Sequence, residues 1–478
     1  MFALAWPIVA TQLLQVAYNL TDTLWLGRFS TDAVAAISLA FPLVFLFISI
    51  GGGLNVAGST LVAQYTGRAS DPDAADDAAD GTGGGDDSDP VDTISHSRTA
   101  GTVAGQTLTV VTAVAVTFGV LGYLLTDDLL SVLPSSPATA GQVVPLAADY
   151  MEVFFLGLPF LFGFFVFSSL MRGYGNTRAP MVVMALSVLI NVVIDPLLIF
   201  GVGPVPRLGV QGAALATVLS RTVATVVGLY VLLGTDAGPR VRLPDFRPQR
   251  RFVVQIVRVG VPSAMEQSAS ALGLITLTAM VVTFRPEVVA AYGLGNRLVS
   301  LVFLPALGLG RATNTIVGQN LGAGNPERAE RATWLAAKVA TAVMLVVAVL
   351  AVAFADEVVA VFISTGTDAA AETIRLGAEY IGVRAIEFGF IGVLQVVLGA
   401  YRGAGNTKTA LAFSLLALWI GRVPIVYALA IAGDLGPFGI WVGMTAGQII
   451  GAVAAAAWFT RGTWKEAVID EADDARGA

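Results

Sequence analysis

Polar residues punctuate this chain at wide intervals, and between them lie apolar runs of roughly 20–28 residues. At a rise of about 1.5 Å per residue, a helix of that length crosses a hydrocarbon core of about 30 Å. Twelve runs are predicted to do so. Six fall at about 2–26, 34–63, 99–125, 146–171, 180–201 and 209–233. The other six fall at about 253–284, 288–316, 329–355, 378–400, 409–433 and 438–460. Gly and Ala are frequent within them, as suits membrane helices in close contact. Pro7, Pro42, Pro159, Pro262, Pro305 and Pro424 fall inside runs and predict kinks there.

Composition agrees with an all-α integral membrane protein. The 478 residues are 55% hydrophobic and 13% charged, against about 25% charged in soluble domains. Without cysteine there are no disulfides or thiolate metal sites, and the single histidine, His96, lies in a polar stretch. The net charge of −7, with acid gathered in polar segments, resembles adaptation to high salt and says nothing of substrate. Orientation follows from the loop arginines. Arg68, Arg98, Arg172, Arg178, Arg328, Arg331, Arg402 and Lys408 share one side of a twelve-span weave with the basic linker. The other side holds Arg28, Arg207, Arg285 and Arg375. By the positive-inside rule both termini are cytoplasmic, in a multi-pass protein of the plasma membrane.

The chain also repeats itself. Leu170-Met-Arg-Gly-Tyr-Gly-Asn-Thr-Arg178 returns as Ala400-Tyr-Arg-Gly-Ala-Gly-Asn-Thr-Lys408, at an offset of 230. Near the start Pro7 pairs with Pro262 and Gln64 with Gln319, at an offset of 255. The first half therefore carries about 25 extra residues, which fall in the acidic, Gly-rich stretch from Asp71 to Asp89. Two six-helix lobes are predicted, related by a pseudo-two-fold axis along the membrane normal. They cover 1–233, with a disordered acidic loop over 70–97, and 252–460. A basic cytoplasmic linker over 234–251 joins them, and an acidic cytoplasmic tail occupies 461–478. The recurring Arg-Gly-x-Gly-Asn-Thr segments read as tight turns, with Gly where left-handed backbone is needed.

What does not repeat is the acid. Asn191-Val-Val-Ile-Asp195-Pro196 puts a carboxamide and a carboxylate on one helix face, with a proline that frees the Val192 carbonyl. Its repeat partners are Gly421 and Ile425. A carboxylate inside hydrocarbon costs about 2.5–3.5 kcal/mol on insertion scales. Asp22, whose repeat partner is Leu277, lies in the outer half of the first span, at a depth similar to that of Asp195. The pair could hold Na⁺ with hard oxygen ligands or share a proton, or each acid could merely bond neighbours such as Thr21. In the second half, Glu387 lies one turn after Arg384 and reads as ion-paired, whereas Glu266 has no evident partner. Arg422 could pair with either acid.

These motifs resemble the MATE family of multidrug and toxic compound extrusion transporters. The resemblance rests on Pro7 with Gln12, Asn19-x-x-Asp22-x-x-x-x-Gly27, the paired turns, Asn191-x-x-x-Asp195-Pro196 and Gly209-x-x-Gly-Ala-Ala-x-Ala-Thr217-x-x-Ser220. It implies a monomeric antiporter that exports cationic or amphipathic organic compounds in exchange for Na⁺ or H⁺ by alternating access. Neither a cofactor nor a nucleic-acid partner is implied. In the branch that looks like DinF and the archaeal members, Asp22, Asn191, Asp195 and Thr217 would bind the coupling ion. Asn19, Tyr150, Ser168 and Glu266 would line the site or the substrate cavity. A flippase for lipid-linked oligosaccharides, on the same superfamily scaffold, is the alternative. No His-Asp, Ser-Lys or metal-ligand constellation in the spans suggests an enzyme.

Overall fold

The computed structural model describes residues 2–70, 91–131, 137–203, 205–360, 368–466 and 468–469. The acidic insert from Asp71 to Asp89 and the tail after residue 469 lie outside the described residues, whereas residues 91–97, expected in the disordered loop, are the first turns of a helix. Within them the chain forms twelve helical spans. Spans 1–6 are Phe2–Phe29, Thr31–Arg68, Val91–Leu124, Pro137–Tyr174, Arg178–Phe200 and Val210–Gly234. Spans 7–9 are Arg250–Val281, Pro286–Gly322 and Pro326–Ala353. Span 10 comprises Asp368–Ala385 and Phe388–Gly403, span 11 runs from Thr407 to Ala432, and span 12 is Gly436–Phe459.

Nine of these helices are long and apolar enough to cross a membrane, and the two parts of span 10 together make a tenth. The other two are spans 1 and 7. They are long, at 28 and 32 residues, but carry Gln12, Gln15, Asn19 and Asp22, or Gln255, Arg258, Glu266 and Gln267. These are repeat partners. The lead helix of each half gives up hydrophobicity for polar residues, of which Gln255 and Glu266 are buried and Asn19 and Arg258 exposed.

The chain divides into two compact units, Trp6–Ala264 and Met265–Ala478 with Met1–Ala5. In the first unit the basic linker packs against span 3 and forms part of the folded body. The Asp245 carboxylate accepts hydrogen bonds from the Thr102 hydroxyl at 2.8 Å and the Arg242 amide at 2.7 Å. Gln106 donates to the carbonyls of Asp245 and Arg247 and accepts from the Gln249 amide, so each of its polar ends is used. Gly101 is required there, because a Cβ would lie 2.0 Å from the Arg240 carbonyl oxygen.

The paired turns close alike. Gly175 and Gly405 take φ of 103° and 79°, and Asn176 and Asn406 donate their amides to the carbonyls of Met171 and Tyr401, both at 2.8 Å. Gly209 and Gly436 stand at the starts of spans 6 and 12 with φ of 56° and 58°. Span 10 departs from the single helix expected over 378–400. It bends by 52° between its two parts, without a proline, where Arg384 and Glu387 pair across the break. In span 11, Pro424 follows a π-helical segment, Leu416–Arg422, and a second π segment covers Tyr427–Ala432. Proline cannot donate to the preceding turn, so a locally rewound ladder before it is the expected response.

Candidate functional site

Span 5 buries a stripe made of Val183, Met184, Ser187, Val188, Asn191, Asp195 and Ile199. The spacing of three and four residues keeps them on one face, with Ser187, Asn191 and Asp195 as its polar members. Asn191 and Asp195 are completely buried, and the Asn191 amide donates to Asp195 Oδ1 at 3.1 Å. Span 6 brings Thr217, whose hydroxyl points at Asp22 Oδ2 at 3.5 Å. Span 1 brings Asp22, which is within side-chain hydrogen-bonding reach of Asp195 and Asn191. The four residues expected to form an ion site thus converge in one lobe. Tyr150, from span 4, lies within electrostatic range of Asp22, Asp195 and Tyr18 and stacks on Phe154.

The donors in this cluster are fewer than its acceptors. Asp22 Oδ1, Asn191 Oδ1 and Asp195 Oδ2 are buried and have no hydrogen-bond partner. Each oxygen left bare in this way costs about 1–3 kcal/mol or more. Thr21 does not relieve Asp22, because its hydroxyl bonds its own helix at the Ala17 carbonyl. The two carboxyl groups therefore face each other with nothing positive between them. A proton or a hard cation with oxygen ligands is what such a set accommodates.

One charge that the sequence reading passed over belongs to this centre. Arg221 is 2% exposed and is the one charged residue in span 6. Its Nη2 donates to Gln15 Oε1 at 2.7 Å and its Nη1 lies 3.0 Å from Met184 Sδ. The guanidinium also stands over the rings of Tyr18 and Phe164, at 4.7 and 5.2 Å. Tyr18 in turn bonds Ser220 at 3.3 Å, and Ser220 donates to the Thr217 carbonyl at 2.9 Å. Arg221 thus stands within electrostatic range of Asp22, one arginine to the cluster's two carboxyl groups. Its spacing of four from Thr217 in an otherwise uncharged run was the available signal.

Three other expected site residues fall elsewhere. Asn19 is exposed and accepts from Gln15 at 3.0 Å, which connects it to the cluster only through Gln15 and Arg221. Ser168 accepts from Arg172 on its own helix. It lies 18 residues beyond Tyr150, about 27 Å along span 4, and is not brought to the site. Glu266 is not without a partner. Its carboxylate takes a fork from Arg402, at 2.6 and 3.2 Å, and a hydrogen bond from Ser414 at 2.5 Å. It is a satisfied ion pair at the turn between spans 10 and 11.

A membrane protein of twelve helices, built as a repeat with a buried acidic centre in one half, has the makings of a secondary transporter. The MatE family model matches residues 7–79, 95–197 and 262–428. The chain belongs to the MatE family, and so to a family of multi-pass membrane transporters that includes multidrug efflux proteins. It is 28% identical over 460 residues to a probable multidrug resistance protein YpnP of Bacillus subtilis, covering 96% of this chain and 94% of that one. It is 27% identical over 410 residues to an FAD transporter of Shewanella oneidensis, covering 86% and 83%. A solved outward-facing multidrug resistance MATE transporter of the MOP superfamily matches with a TM-score of 0.84 and 25% identity, over 97% and 95% of the two chains.

Proposed function

We propose that this protein is a cation-coupled antiporter of the plasma membrane. It exports cationic or amphipathic organic compounds in exchange for Na⁺ or H⁺, with both termini in the cytoplasm. Asp22, Asn191, Asp195 and Thr217 form the coupling site. The observation that carries this reading is the trio of buried oxygens without donors, on Asp22, Asn191 and Asp195. With Arg221 against two carboxylates, one monovalent cation neutralises the centre, so one charge is expected to enter per cycle at this site.

Binding energy at such a site becomes transport only if the ion binds the two access states differently. Asp22 and Asp195 stand on different helices, so an ion or proton between them links spans 1 and 5, and its departure leaves two acceptors in repulsion. That difference lets the ion favour one arrangement of the lobe while the exported compound favours another. The test is dye efflux from reconstituted vesicles under separately imposed Na⁺ and H⁺ gradients. The wild type should respond to one gradient, and Asp195→Asn and Asp22→Asn should each lower coupled efflux at least tenfold. A single variant that keeps full coupled transport would remove its residue from the site.

A further inference from the structure

The carboxyl-terminal lobe holds a second buried charged cluster, of opposite sign. Arg384 and Glu387 are 2% and 0% exposed and stand at the bend of span 10. Arg384 Nε donates to Glu387 Oε1 at 2.6 Å, and its Nη1 donates to the Tyr380 hydroxyl at 2.8 Å. Arg422, from the π segment of span 11, donates to Gln448 Oε1 at 2.5 Å. Its nearest approach to Glu387 is 3.7 Å, beyond a hydrogen bond. The Arg422 Nε–H is buried and meets no acceptor. The charged groups within its range are Glu387 and Arg384. Two guanidiniums against one carboxylate leave one uncompensated positive charge.

Arg422 is held in place by its neighbours. Span 12 presents Gly439, Gly443, Gly447 and Gly451, one every fourth residue, to Ala430, Val426, Arg422 and Ala417 of span 11. The last step on span 11 is five residues, and it coincides with the π segment Leu416–Arg422. The extra residue keeps the two backbones in contact at Arg422, where a Cβ on Gly447 would lie 2.4 Å from the Arg422 amide nitrogen. The guanidinium sits 15 residues beyond Thr407, about 22 Å into a core of about 30 Å. A charge at that depth faces protein, water or a ligand rather than lipid. The Arg422 side chain retains 18% exposure.

We propose that Arg422, with Gln448 beside it and Arg384 behind Glu387, is a recognition site for an oxyanion carried by an amphipathic substrate, the residual positive charge of its partly exposed side chain being what the oxyanion engages. The inference rests on the exporter reading for the meaning of a bound compound, but not on ion coupling. Amphipaths that bear a carboxylate or phosphate therefore belong among the transported compounds.

Binding to purified protein in nanodiscs, without any gradient, tests it. The probes are a rhodamine free acid and its methyl ester, followed by fluorescence anisotropy. The wild type should bind both. Arg422→Gln should weaken the acid at least tenfold while the ester stays within about twofold, and Arg422→Lys should give an intermediate loss for the acid. Wild-type protein that binds the ester and not the acid would overturn the proposal, as would variants that lose both dyes alike or neither. If Arg422→Gln does not yield monodisperse protein, the wild type and Arg422→Lys decide on the same criteria. Nanodiscs with and without an anionic lipid form the last arm. Equal affinity for the acid supports a substrate site, and displacement by the lipid assigns the site to a headgroup and overturns it. Loss of coupled efflux in Asp195→Asn with acid binding intact would separate failure of coupling from failure of this site.

Discussion

The two lobes share a scaffold and invert its charge. Around Asn191 and Asp195 the amino-terminal lobe gathers two carboxylates and one arginine, Asp22 with Asp195 against Arg221. At the corresponding level of the repeat, where Gly421 and Ile425 replace Asn191 and Asp195, the other lobe gathers two arginines and one carboxylate. Arg422 itself corresponds to Val192. One centre sets two acids beside one arginine, and the other sets two arginines beside one acid. A burial cost is met twice in the same fold, once by acids that need a cation and once by arginines that can take an anion. The lesson is that the repeat conserves turns and helix contacts while leaving the buried polar positions free to diverge.

The largest expected stability effect comes from removing the lone acid of the basic lobe. Glu387→Gln leaves Arg384 and Arg422 buried together without a carboxylate, and the cost should be about 3–5 kcal/mol. Thermal unfolding in detergent, compared with Arg384→Met/Glu387→Met, reads it, and the double variant should be the more stable of the two. A Glu387→Gln protein as stable as wild type would mean that the arginines are not charged neighbours in the folded lobe.

Next comes the glycine stripe that holds Arg422. Gly447→Ala places a Cβ against the Arg422 backbone and should cost about 1–3 kcal/mol. Gly293→Ala is the control: it is helical, with nothing within 4 Å of a new Cβ, and should stabilise by about 0.4–1 kcal/mol. Equal melting shifts for the two would show that the helix contact does not position Arg422.

The smallest effect is expected at Ser168. Ser168→Ala removes one hydrogen bond to Arg172 on the same helix and should cost about 1 kcal/mol, with coupled efflux within about twofold of wild type. A loss of coupling comparable to that of Asp195→Asn would put Ser168 back in the site.

What was legible in the sequence follows the range of the forces involved. The twelve spans, the repeated turns and the convergence of Asp22 with Asn191 and Asp195 are set by local hydropathy, glycine geometry and helix depth. The Arg384–Glu387 pair was legible because it is local, three residues apart. The partner of Glu266 is 136 residues away in a turn that read as scaffold, so no local pattern disclosed it. Arg221 was missed because the loop arginines set orientation, and a single cation inside span 6 shows its meaning only when Gln15 and Tyr18 are beside it. Asn19 and Ser168 followed from family likeness alone; Asn19 is exposed beside Gln15, and helix length places Ser168 about 27 Å along span 4 from Tyr150. The bend in span 10 had no proline to announce it.

The central claim is that the lobes divide the work, cation coupling in one and anion recognition in the other. It is tested most directly by measuring gradient-driven efflux and gradient-free binding of the rhodamine acid on the same two variants. The account predicts that Asp195→Asn loses coupled efflux at least tenfold and keeps acid binding. It predicts that Arg422→Gln loses acid binding at least tenfold and still couples efflux of the ester to the gradient. Either variant losing both activities together would contradict it.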